Sequence, residues 1–196
     1  MDDSGLIWKT EETERLLHTP VFDVWRQAEV SANGLRGDYV AVTAPDWVVV
    51  AAVYRGCFVL VRQWRHGEDR LTTEFPAGVV DPGEPPQRTA ERELLEETGF
   101  RAGRITHLGT CSANPALFKN HIHCFLAEDL TPTGEQHPDA DELLRYLLVP
   151  VDEVIAGFGS GDYTHAYMGT ALAFYLRHTA GREAEKKRPP VPAAEQ

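Results

Sequence analysis

The chain has 196 residues, 42 % of them hydrophobic and 25 % charged, which is the composition of a folded globular domain. That excludes a disordered chain, a collagen and a disulfide scaffold, and the length supports a sizeable core burying roughly 70 % of the unfolded surface. Acidic residues outnumber basic ones 30 to 19, for a net charge of −11, which argues against a broad nucleic-acid surface.

Residues 1–12 are acidic and hold no long apolar stretch, so no signal peptide is expected there. No window approaches the ~18 apolar residues of a membrane span. Cys57, Cys111 and Cys124 are scattered and form no C-x-x-C, so they read as small apolar side chains in a reducing cytoplasm. Residues 21–30 alternate loosely and predict a strand. Asn33-Gly34 marks a turn, and 39–43 its return strand. Residues 47–53 and 57–61 are continuous apolar runs joined at Tyr54-Arg55-Gly56. That pattern predicts a hairpin whose strands are covered on both faces.

Residues 74–80 form another strand or loop before the punctuation of Asp81-Pro82-Gly83. A helix is predicted over 86–98, with Pro86 in its first turn and Gly99 as its stop. Strands follow at 105–111, 121–126 and 143–149, with a polar, proline-bearing loop at 131–142. A short helix is expected at 152–158 and a longer apolar one at 163–178, whose Tyr167, Leu172 and Tyr175 read as core. The tail from Gly181 lacks periodicity and is expected to be disordered. The whole suggests an α/β sandwich. Residues 1–45 form a strand region, 46–180 the catalytic domain and 181–196 the tail.

The chemistry concentrates in 78–100. On a helix, Glu93 shares a face with Glu96 (i,i+3) and Glu97 (i,i+4). Like charges so placed destabilise a bare helix, and a hard divalent cation such as Mg²⁺ reverses that sign. Three glutamates alone also fit a solvated acidic face. Arg92 lies four residues before Glu96 and pairs with it in a helix, while Ala90 and Leu94 fall on another face that packs on the sheet. Gly78 leaves room for close backbone approach.

The full pattern runs Gly78, Glu84, Arg92-Glu93-Leu94, Glu96-Glu97, Gly99-Phe100. Its chance occurrence in a chain this long is on the order of one in ten million, so the solvated-face reading loses. It resembles the Nudix box, and the chain resembles the Nudix hydrolases over about residues 21–154. That resemblance implies an α/β/α sandwich with a mixed sheet, here preceded by an N-terminal antiparallel strand region. It also implies a Mg²⁺-dependent hydrolase of nucleoside diphosphates linked to another group, with Mn²⁺ able to substitute. By the family pattern, Glu93 and Glu97 are principal metal ligands, Glu96 assists, the Ala77 carbonyl completes the set, and Arg92 orients the glutamates.

Around the box, Glu74-Phe75-Pro76-Ala77-Gly78 resembles the E-x-P-A-G segment of the ADP-ribose and nucleotide-sugar pyrophosphatases. Gln63-Trp64-Arg65 resembles their Q-x-R segment, and Pro115, sixteen residues after Gly99, their marker proline. Asn114-Pro115-Ala116-Leu117 departs from the Ser-Pro-Gly of many members. The resemblance further implies a homodimer whose N-terminal strands help build the partner's site.

Arg65 is a candidate phosphate clamp, since guanidinium grips phosphate oxygens bidentately; a plain surface arginine is the other reading. Glu74 either binds substrate or braces Arg65. The general base is expected in the acidic loop, with Glu142 first and Asp141 and Glu135 behind it. His121 and His123 share a strand face and could hold a soft metal, but such histidines are more often packed or solvated. Phe22, Trp25 and Trp47 are candidates to stack on a nucleobase. The leading reading is a cytoplasmic ADP-ribose or nucleotide-sugar pyrophosphatase. GDP-mannose or another such compound as substrate and a ligand sensor without turnover are the alternatives.

Overall fold

The computed structural model describes residues 3–137 and 143–186. A seven-stranded mixed sheet forms its centre, built from β4 (Trp47–Tyr54), β5 (Cys57–Arg65), β6 (Arg70–Glu74), β7 (Ala77–Val79), β9 (Arg104–Ser112), β10 (His121–Glu128) and β12 (Leu144–Pro150). The main path runs β12-β5-β4-β10-β9, with β6 paired to β5 and β7 to β4. β10 is parallel to β4, and the other pairings in this sheet are antiparallel.

Strand alternation makes two cores from one apolar run. Val48, Val50 and Ala52 of β4 join Ala90 and Leu94 of α1 (Pro86–Thr98). Val49 and Ala51 face the other way, onto Val154 of α2 (Val151–Gly157) and Met168, Ala171 and Leu172 of α3 (Ala166–Lys186). Both faces of the sheet are therefore covered, which is why β4 and β5 lack polar alternation. The product is the expected α/β/α sandwich.

The β4–β5 hairpin closes on Arg55 (φ 50°) and Gly56 (φ 81°). Two positive φ values in a two-residue loop match the right-handed strand twist. α1 has the predicted bounds: Pro86 occupies its first turn, and Gly99 (φ 70°) ends it in the left-handed region, its N–H bonded to Leu95 O at 2.8 Å. β8 (Phe100–Arg101) pairs with β11 (Thr131–Pro132) just beyond.

The N-terminal region is a separate antiparallel sheet of β1 (Trp8–His18), β2 (Asp23–Ser31) and β3 (Arg36–Thr43). The sequence does not announce β1, because every one of its residues is exposed and a strand with no buried face carries no period-2 signal. Its register is held against β2, with side-chain links such as Glu14–Arg26 at 3.0 Å and Thr10–Glu29 at 3.1 Å.

Two expectations need correction. The segment expected at 74–80 is split: the chain leaves β5 after Glu74, passes Phe75-Pro76, and pairs with β4 from Ala77. Pro76 lacks an N–H, and its carbonyl accepts Val50 N–H at 2.9 Å. The last helix starts at Ala166 and continues past Gly181, where the disordered tail was expected, to Lys186. An internal Gly costs a helix about 1 kcal/mol relative to Ala. Here tertiary contacts hold the final turns, since Arg182 donates to Glu128 at 2.9 Å and Arg177 to Leu108 O at 2.6 Å. Residues 187–196 of that tail lie outside the described residues.

Candidate active site

α1 turns its glutamates toward the sheet edge formed by β7. Glu97 is almost fully buried, and its Oε2 accepts the Ala77 N–H at 3.0 Å. Glu93 lies directly over Gly78: a Cβ built there would stand 2.0 Å from the Glu93 carboxyl carbon. Gly78 is thus the space that the Glu93 carboxylate fills. Glu96, one turn from Arg92, stays partly open to solvent, its side chain 33 % exposed.

Arg92 gathers the acids. Its guanidinium donates to Glu93 at 2.8 Å, Glu96 at 3.0 Å and Glu84 at 3.2 Å. Burial pushes the guanidinium pKa down, but the hydrogen bonds to Glu84 and Glu96 and the charge of Glu93 outweigh it and raise the value. Glu84 is held below the ordinary carboxylate range by Arg92 and by Thr89, which donates to it at 2.7 Å. The orienting role expected of Arg92 therefore has a geometric basis, extended to Glu84.

Across the cavity, β5 contributes Arg65, whose Nε and Nη2 donate to the two Glu74 oxygens at 2.8 Å each. Glu74 is 2 % exposed and also accepts from Thr72. Burial pushes its pKa up, while Arg65, His165 (3.8 Å away) and Thr72 bring it below the ordinary range. His165 is itself pushed down by burial. Both Glu74 oxygens are thus engaged by Arg65. The break at Phe75-Pro76 is what sets this pair beside Ala77 and Gly78.

These parts enclose a cavity of about 330 Å³ with Glu93, Glu96 and Glu97 on one wall and Gln63 and Arg65 on another. Trp47 is shared with a second cavity of about 510 Å³ lined by Phe22, Phe118, Asn120, His165 and Tyr167. Trp47 and Phe22 thus stand where a flat group could lie, whereas the Trp25 indole donates to Thr43 at 2.9 Å. Pro115 is exposed in the turn between β9 and β10 and lines neither cavity.

Glu142 and Asp141 lie outside the described residues. Glu135 is exposed and lies 3.3 Å from His137. The segment around it docks on the end of α1: His137 N–H donates to Glu96 O at 2.9 Å, Thr133 N–H to Gly99 O at 2.8 Å, and the Gln136 side chain to Glu97 O. These bonds satisfy carbonyls that a helix end otherwise leaves unpaired. His121 and His123 gather at Asp46, with His123 Nε2 at 3.0 Å from its carboxylate and His123 Nδ1 at 2.9 Å from Thr110. His123 is thus packed, whereas His121 is exposed, 3.8 Å from the same carboxylate.

Among the described residues no three His, Cys, Asp or Glu side chains stand as a ready metal cage. Mg²⁺ does not require one, because it keeps several waters and takes only one or two carboxylates. The carboxylates clustered over the Gly78 backbone fit such an ion. The NUDIX domain model matches residues 44–167. The chain belongs to the Nudix family. It is 31 % identical over 180 residues to the ADP-ribose pyrophosphatase of Bacillus subtilis (strain 168), spanning 91 % of this chain and 97 % of that one. It is 30 % identical over 143 residues to the ADP compounds hydrolase NudE of Escherichia coli (strain K12), covering 72 % and 76 %. A solved structure described as an ADP compounds hydrolase superposes with a TM-score of 0.80 at 25 % identity, covering 89 % and 95 %. The protein is a Nudix hydrolase similar to ADP-ribose pyrophosphatases. Among the described residues, no helix is long and apolar enough to cross a membrane.

What the sequence reading missed is Gln63 as a cavity residue and the second cavity beside Trp47. The signals for Gln63 were its place in the Gln63-Trp64-Arg65 segment and its position two residues before Arg65, on the same face of a strand.

Proposed function

We propose that this Nudix hydrolase cleaves the diphosphate bond of ADP-ribose or a related nucleotide sugar, giving a nucleoside monophosphate and a sugar phosphate. The observation that carries the reading is the cavity with two unlike walls, three carboxylates facing an arginine whose orientation Glu74 fixes. A carboxylate wall alone repels a diphosphate; with a cation on it and a guanidinium opposite, both sides attract it. The adjoining aromatic cavity offers room for the organic group. The names of the two relatives point to the same substrates.

Glu93 and Glu97, with Glu96 and the Ala77 carbonyl, would hold Mg²⁺, for which Mn²⁺ can substitute. When bound, the ion neutralises phosphate charge and acidifies the attacking water. Arg92 keeps the carboxylates in place, and Arg65 grips the phosphoryl oxygens. The base is assigned to Glu142, with Asp141 and Glu135 as lesser candidates. Residues 1–45 are assigned the contact of a homodimer, the sheet on which Leu16, Leu17, Tyr39 and Val40 are exposed.

The test is kcat/KM with Mg²⁺ for ADP-ribose, GDP-mannose and a nucleoside triphosphate side by side. ADP-ribose is expected to lead, and a better triphosphate overturns the reading. Glu142→Gln is expected to lower kcat by roughly 10²–10⁴-fold, with smaller losses for Asp141→Asn and Glu135→Gln. Light scattering at micromolar concentration is expected to give twice the chain mass.

A further inference from the structure

We propose that Gln63 is a second substrate-contacting residue, its carboxamide donating to the phosphoryl group next to the one held by Arg65. The inference rests on reading the carboxylate-lined cavity as the diphosphate site. Four residues lining that cavity carry side-chain hydrogen-bond donors: Trp47, Gln63, Arg65 and Arg92. Arg92 is committed to Glu84, Glu93 and Glu96. Arg65 is aimed by Glu74. Trp47 sits at the passage to the second cavity. Gln63 is different: it is partly buried, yet its carboxamide has no hydrogen-bond partner among the described residues. Gln63 lines the cavity, so its carboxamide is left to bond what enters there.

The backbone fixes the spacing. Gln63 lies between Thr72 of β6 and Leu144 of β12, in the interior of the sheet, so its Cα cannot drift. Gln63 and Arg65 are two apart on β5 and share one face, about 7 Å from each other along the strand. Two donors at that spacing can each engage one of two adjacent phosphoryl groups, where a single phosphoryl group engages only one. The chemistry suits the place as well. Beside three glutamates, a neutral carboxamide donates without adding the negative charge that a carboxylate brings.

The experiment compares Gln63→Leu, Gln63→Glu and Arg65→Ala on two probes with Mg²⁺: ADP-ribose, which has two phosphoryl groups, and the p-nitrophenyl ester of thymidine monophosphate, which has one. A hydrogen bond to a charged oxygen predicts a loss in kcat/KM of about 10- to 100-fold for Gln63→Leu on ADP-ribose, and less than about twofold on the ester. Gln63→Glu is expected to lose more than Gln63→Leu on ADP-ribose, by repulsion. Arg65→Ala is expected to lose on both probes. Unchanged turnover of ADP-ribose by Gln63→Leu overturns the proposal, as does an equal loss on both probes. If Arg65→Ala also leaves ADP-ribose turnover unchanged, the reading of the cavity has failed, not the assignment of Gln63 alone. Should Gln63→Leu not fold, Gln63→Asn retains the carboxamide on a shorter arm. Its loss is then expected on ADP-ribose alone, and equal losses overturn the proposal in the same way.

Discussion

The box cavity and the N-terminal sheet spend charge in opposite ways. In the cavity Arg92 binds three glutamates, and Glu74, 2 % exposed, holds Arg65 in a two-pronged pair. On the N-terminal sheet Arg36 reaches Glu11 with both partners exposed. Buried or partly buried charges lose water and must have partners, so removing one leaves the other uncompensated. Exposed pairs keep their water and contribute little. The lesson is that the same residue types sit as partnered, largely buried groups in one region and as exposed pairs in the other.

That contrast can be broken in four ways. Glu97→Gln keeps an oxygen for the Ala77 N–H and removes the charge. Hydrolysis at saturating Mg²⁺ is expected to fall at least ~100-fold, a change of kcat in a protein whose circular dichroism is unaltered. Gly78→Ala puts a methyl where the Glu93 carboxylate sits. Activity is expected to drop by roughly 10- to 100-fold, and Tm to fall because Glu93 is forced off Arg92.

Glu74→Gln comes third. It loosens Arg65 and is expected to lower kcat/KM by about tenfold. It also sharpens the comparison through pH. The folded-state pKa of Glu74 lies below its ordinary 4.5. Its stabilising contribution is therefore full above about that pH and is lost as the pH falls through the depressed value. Denaturant unfolding of the Gln variant at a series of pH values should show a shallower loss of stability on the acid side. Smallest of all, Arg36→Ala should leave Tm within about 2 °C and activity unchanged. A large effect there would place Arg36 itself inside the homodimer contact proposed for residues 1–45.

Much of this was legible beforehand, for local reasons. The bounds of α1 follow from a proline, a glycine and the spacing of Ala90 and Leu94, all of which act within the helix. Glu93, Glu96 and Glu97 share a face by helix geometry alone. Features set by distant partners were not legible. β1 exists because β2 offers it an edge, and the last turns of α3 persist because Arg182 finds Glu128. Glu74 could be seen as important but not assigned, since bracing and binding differ only in which way its carboxylate turns. Gln63 looked like a neighbour of Arg65 until the structure showed that, among the described residues, no side chain or backbone group bonds its amide.

The change of partner at Phe75-Pro76 also sets a rule for how this protein can tolerate changes in length. Glu74 is registered against Val61 and Ala77 against Val49, with only two residues between them. Inserting or deleting one residue there would turn the following strand over, sending Gly78 away from Glu93 while Glu74 still faced Arg65. The turn at Asp81-Pro82-Gly83 carries no strand register, and a Cβ added at Gly83 would meet nothing within 4 Å. Length variants should therefore survive a few residues past Gly78 and fail just before it, a boundary that a deletion scan of this segment would trace residue by residue.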